Sequence, residues 1–128
     1  PFLVYKAKSG QKVDIKLENW ELVTESNKQQ YLLNKFVFRD GSMVRVFGLV
    51  IFQEDHSAAN GKKFHYIISE AILDCSEKTL TSRFNLYIDK DYNLVNTYQY
   101  GAGEVVTNTN RENTIASNIH KVLCGISI

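Results

Sequence analysis

Two cysteines constrain this chain more than any other feature. Cys75 closes a long apolar, strand-like run from Phe64 to Asp74, and Cys124 closes the one convincing amphipathic helix, four residues before the C-terminus. A bond between a strand tip and a helix end would pin the last helix onto a sheet. Two readings compete: two buried free thiols in a cytosolic protein, or one disulfide in an oxidising compartment. Position favours the disulfide. The two residues are 124 − 75 = 49 apart, and closing a loop of that size is worth about 4 kcal/mol in the chain-entropy account. There is no CxxC pair for thioredoxin-like redox chemistry, and too few ligands at the right spacing for a zinc finger.

A chain of 128 residues is long enough to bury a proper core as one domain. Its aromatics are mostly Tyr and Phe, which favour strands. The formal net charge of +1 gives no general pull toward nucleic acid or anionic lipid. No apolar run reaches the length of a membrane span. Opening on Pro1 rather than Met leads us to expect a processed N-terminus, with a signal peptide or lipid anchor outside the sequence.

Residues 1–18 read as a separate N-terminal unit. Phe2-Leu-Val-Tyr and Val13-Asp-Ile-Lys-Leu flank Ser9-Gly10, forming either a hairpin or a leader to the domain that occupies 19–128. From Trp20 the pattern is a meander of strands. Asn27-Lys28 marks a turn before Tyr31-Leu-Leu, and Phe36-Val-Phe leads into the hairpin signal Asp40-Gly41. Ser42 to Phe52 is apolar on both faces except near Arg45, as expected for a central strand. Gln53 to Lys63 is polar and reads as a long loop.

After the strand ending at Cys75, alternation puts Leu80, Phe84, Leu86 and Ile88 on one face, with Thr81, Arg83, Asn85 and Tyr87 on the other. Asp89 to Asn93 is a turn, and Leu94 to Tyr100 a strand. Gly101-Ala-Gly103 breaks the pattern before a short edge strand, Glu104 to Thr107. Asn110 is the expected N-cap of a helix whose apolar stripe is Ile115, Ile119, Val122 and Leu123, with Gly125 as its stop. The fold class is α+β: a meandering antiparallel sheet with a C-terminal helix packed on one face and one disulfide.

The order of several segments resembles the surface-adhesin protein E family of Gram-negative envelope proteins. They are Trp20-Glu-Leu-Val, the run Gly41 to Phe47, the strand ending at Asp74-Cys75, Gly103-Glu104-Val-Val, and a terminal helix closing on Lys121-Val-Leu-Cys124. The resemblance spans Trp20 to Cys124. It implies an exported, often lipid-anchored envelope protein with an antiparallel sheet, a helix and one disulfide. It also implies protein partners, since the family's named member binds host matrix proteins such as vitronectin and laminin.

No catalytic constellation stands out. His56, His65 and His120 are scattered, and His56 in the acidic stretch Glu54-Asp55 lacks a second local ligand, so no metal or cofactor is expected. Glu70, Asp74 and Glu104 are carboxylates without a visible acid/base partner. Ser69, Ser82 and Ser117 lack a nucleophile elbow, and Gly101 to Gly103 is no phosphate loop. The candidate binding residues are Lys62 and Lys63 at the end of the polar stretch, suited to an acidic partner, with Arg83 and Tyr87 on one strand face, suited to protein recognition.

The sequence therefore points to a non-enzymatic cell-envelope module that binds a host matrix or envelope protein and not nucleic acid. A periplasmic accessory or inhibitor protein is the alternative. An exposed edge strand in the N-terminal segment offers a route to a homodimer.

Overall fold

The computed structural model describes residues 10–125. They form one antiparallel sheet and a C-terminal helix. After a 3₁₀ turn at Leu17–Asn19 come β1 (Trp20–Glu25), β2 (Gln29–Asn34), β3 (Phe38–Asp40), β4 (Met43–Ser57), β5 (Lys63–Asp74), β6 (Thr79–Ile88), β7 (Leu94–Gln99), β8 (Val106–Asn108) and α1 (Ile115–Cys124). The sheet order is β1-β2-β4-β5-β6-β7. The short strands extend two rows: β3 continues β2 along one edge of β4, and β8 continues β7 along one edge of β6. Neighbours in sequence are mostly neighbours in space, as in a meander.

Alternation along the strands divides the core between two faces. On one face Leu33, Val44, Val46 and Leu73 pack with Ile119 of the helix, joined by Leu80 and both cysteines. On the other, Leu86, Ile88 and Leu94 pack with Phe84, Ile68 and Tyr66, and Val13 and Ile15 of the N-terminal segment cover them. The first arm of the expected N-terminal hairpin lies outside the described residues. In its second arm, Lys12 bridges Asn93, and Leu94 donates its N–H to the Gln11 carbonyl at 2.8 Å.

The helix is held at its C-terminal end by three links. Cys75 and Cys124 form the disulfide, with Cα atoms 5.6 Å apart. Arg39 Nη2 donates to the Leu123 carbonyl at 2.8 Å, satisfying one of the helix's orphan acceptors. His120 Nε2 lies 3.4 Å from the Cys75 carbonyl.

Several boundaries differ from the sequence reading. The expected loop from Gln53 to Lys63 is mostly strand: β4 runs to Ser57, β5 starts at Lys63, and only Ala58 to Lys62 form the turn. The polar composition reflects exposure, because Gln53 to Ser57 project into solvent on a hairpin arm. The helix cap is Thr114, not Asn110: its Oγ1 accepts the Ser117 N–H at 3.0 Å. The Asn108 side chain instead accepts the Asn110 N–H in a local turn. The buried helix stripe is Ala116, Ile119 and Leu123, while Val122 is 56% exposed and Ile115 faces solvent.

Irregular register changes the faces along β6. Between Glu70↔Phe84 and Ala71↔Ser82 the register shifts, so Leu80 joins the helix-side cluster while Phe84 joins the opposite one. Arg83 and Tyr87 therefore do not share a face. Arg83 Nε lies 3.8 Å from Glu70 Oε1, whereas Tyr87 packs against Phe64 on the helix side, with ring centroids 5.0 Å apart.

Candidate binding surface

The arm formed by β4 and β5 carries the first two candidate residues. Beyond Ile51↔Tyr66 the register shifts, and pairing resumes at His56↔Phe64 and Ser57↔Lys63. Three more residues are used on β4 than on β5, so the arm bends. Its tip closes with the Ala58 N–H donating to the Lys62 carbonyl at 2.8 Å. Asn60 Nδ2 then donates to the Val95 carbonyl at 2.8 Å, tying the tip to β7.

An open groove of about 670 Å³ runs between this tip and the β6–β7 turn. Asp55, Lys62 and Lys63 line it from the arm, and Asp89, Lys90 and Asp91 from the turn. Internal bonds engage two of these carboxylates, Asp89 and Asp55. Asp89 accepts the Asp91 and Asn93 N–H groups at 2.9 and 2.8 Å. Burial alone would raise the Asp89 pKa. The bonds from Asn93 and Asp91, with the charge of Lys12, outweigh it and hold the carboxyl below its ordinary value. Asp55 Oδ1 lies 3.2 Å from His65 Nδ1. Lys63 Nζ donates to Ser57 Oγ at 2.8 Å.

The helix covers only the Val44–Val46 end of its face. Toward the other end, Tyr31 lies across Gly48, where a Cβ would come within 2.9 Å of Tyr31 Cζ. Burial pushes the Tyr31 hydroxyl up to about 12, against a lowering hydrogen bond with Ser69. Beyond it, Phe52 and Phe64 are 5.7 Å apart, with the His56 ring 4.1 Å from Phe52. Phe64 then meets Tyr87. Asn85 Nδ2 donates to both Tyr87 Oη at 3.2 Å and Tyr100 Oη at 3.0 Å. Tyr98 stands edge-on to Tyr100 at 4.8 Å and donates its hydroxyl to Glu104 Oε2 at 2.8 Å.

On the opposite face lies a buried ion pair. Arg45 Nε and Nη2 both reach Glu70 Oε2 at 2.9 Å, and the guanidinium sits 5.3 Å from the Phe38 ring and 5.1 Å from the Phe47 ring.

The structure thus brings Lys62 and Lys63 together on the groove and places Tyr87 and Arg83 on separate surfaces. The carboxylates also separate: Glu70 pairs with Arg45, Asp74 accepts the Ser76 and Glu77 N–H groups, and Glu104 meets Tyr98. Among the described residues no three His, Cys, Asp or Glu side chains group as metal ligands, and no helix is long and apolar enough to cross a membrane.

Sequence reasoning missed the Asn85 bridge and the Asn60 tie, because both join positions that only register brings together. Arg45 and Glu70 had a visible signal: lone charges of opposite sign in two consecutive apolar strands.

No family model and no curated protein sequence matches the chain. Its shape does have solved counterparts. A structure of Haemophilus influenzae protein E superposes with a TM-score of 0.62, covering 93% of this chain and 98% of that one at 15% identity. The chain has the protein E fold. A crystal structure of protein E from non-typeable Haemophilus influenzae gives the same TM-score over 92% of this chain and 85% of that one, at 13% identity. The expected sheet, terminal helix and disulfide are all present. At this identity the likeness to protein E concerns architecture alone, and the side chains of the surface are this chain's own.

Proposed function

We propose that this chain is a non-enzymatic cell-envelope binding module that takes a protein partner on the β4–β5 arm and its groove. The projecting arm carries the reading: it ends in Lys62 and Lys63, is braced to β7 through Asn60, and lies beside Asp55 and Asp89, which are engaged within the fold. Acidic groups of a partner suit its lysines, and bracing reduces the ordering cost of binding. The protein E fold and the Cys75–Cys124 bond support an exported, adhesin-like protein. In this reading Tyr87 and Arg83 serve separate contacts on the two sheet faces.

Capture experiments separate the host-directed role from that of a periplasmic accessory or inhibitor. Folded protein is immobilised and offered matrix proteins in one arm and native envelope extract in the other. Saturable retention of a matrix protein supports adhesion, and enrichment of one envelope protein supports the accessory role. Retention of neither overturns the binding reading.

A further inference from the structure

We propose that the half of the helix-side sheet face that α1 leaves open among the described residues binds a neutral, extended, β-1,4-linked oligosaccharide. The site is separate from the lysine-lined groove. Its rings follow a row across four strands: Phe52 on β4, Phe64 on β5, Tyr87 on β6, and Tyr98 with Tyr100 at the end of β7. The row runs diagonally, because Phe64 is three residues from Ile67, the partner of Tyr87, and Tyr98 lies opposite Asn85. It is therefore longer than the ~14 Å that four strands span at ordinary spacing, room for a short oligosaccharide. Phe64 is buried and anchors the row, while Tyr98 is 46% exposed and Phe52, Tyr87 and Tyr100 are partly exposed, so the rings on either side of Phe64 present aromatic surface to solvent.

The polar groups around the row match hydroxyls. Tyr87 Oη and Tyr100 Oη each accept from Asn85, which leaves both phenol protons to donate to a ligand. Glu104 accepts the Gly101 N–H at 2.9 Å on one oxygen and the Tyr98 hydroxyl on the other, and each carboxylate oxygen keeps a further lone pair. These two bonds hold Glu104 below its ordinary carboxylate range, so it stays an acceptor. Asn96, opposite Tyr87, adds an amide that both donates and accepts.

Charge selects among occupants. Among the described residues, the strand positions of this half-face carry no Lys or Arg. A polyanion finds no counter-charge there. Sugar rings offer apolar C–H faces to the aromatics and hydroxyls to the amides, phenols and carboxylate. A β-1,4-linked chain runs straight enough to follow a row laid across a sheet, while an α-1,4-linked chain curves away.

The test is an amide NMR titration of the folded protein with cellotetraose and with chitotetraose at millimolar concentrations. Saturable shifts are expected for β6, β7 and the Asn85 and Asn96 side-chain amides with at least one of them. Tyr98→Ala, an exposed position, should keep the dispersed spectrum and bind about tenfold more weakly. The Lys62→Glu/Lys63→Glu variant should bind the saccharide as the parent does. No saturable shift with either saccharide overturns the proposal, as do shifts confined to the groove or unchanged binding by Tyr98→Ala. A protein partner that protects the Tyr98 face and is not displaced by saturating saccharide also overturns it, while leaving the binding-module reading intact.

Discussion

Glu70, 1% exposed in the middle of β5, receives two nitrogens of Arg45 from the neighbouring strand on a single carboxylate oxygen. Their Cα positions are not directly paired, since Arg45 lies opposite Ile72 and Glu70 opposite Phe47. The side chains therefore meet diagonally on one sheet face. Phe38 and Phe47 flank the guanidinium, so the pair is both bonded and shielded from water.

Removing one partner of such a pair should be costly. Glu70→Ala leaves Arg45 without its buried counter-charge and should destabilise the fold by about 3–5 kcal/mol. Replacing both residues with Met should cost much less, because the lost attraction is offset by avoided desolvation. Urea unfolding of the single and double variants checks this. Equal losses in the two would show that the pair is not coupled.

The disulfide should contribute stability in proportion to the loop that it closes. Cys75→Ser/Cys124→Ser removes a link across 49 residues and should lower unfolding free energy by about 4 kcal/mol. Arg39 and His120 still tie the helix end to the sheet, so the variant should retain helix by circular dichroism at low denaturant. Unchanged stability would show that these two contacts already supply the constraint.

At Gly48 the absent side chain makes room for Tyr31. Gly48→Ala should cost about 1–3 kcal/mol by overpacking, with Tyr31 the group that must move. Combining it with Tyr31→Leu should recover part of the loss, so that the two changes are non-additive in a double-mutant cycle.

Tyr31 also sets an alkaline limit. Its folded-state pKa is about 12, against an unfolded value of 10.0. Its contribution is fully present below pH 10 and falls away as pH rises to about 12, because the unfolded chain ionises first. Stability measured from pH 9 to 12 should decline, and Tyr31→Phe should make that decline shallower, with the remaining slope carried by Tyr66, which burial and the neighbouring Tyr92 also push up to about 12. An equal slope in the variant would place the effect on other tyrosines.

Much of the architecture was legible in the sequence because period-two alternation, the Asp40-Gly41 turn and the two cysteines are local signals. Cys75 and Cys124 sit at a strand end and a helix end as their flanking patterns imply. The polar arm was misread because a strand exposed on both faces has no apolar alternation to reveal it. The faces of Leu80 and Arg83 were misplaced because one register shift reverses the parity of everything beyond it. Lys62 and Lys63 stood out as adjacent charges at a turn, but the groove beside them is completed by Asp89, Lys90 and Asp91 from the β6–β7 turn.

The most direct measurement is amide hydrogen exchange of the protein alone and with the partner retained in the capture experiment. The expected result is slowed exchange along residues 53–63 and the β6–β7 turn, lost together with binding in Lys62→Glu/Lys63→Glu. Protection confined to the helix or to β1, with binding unchanged in that variant, would contradict the placement of the partner on the β4–β5 arm.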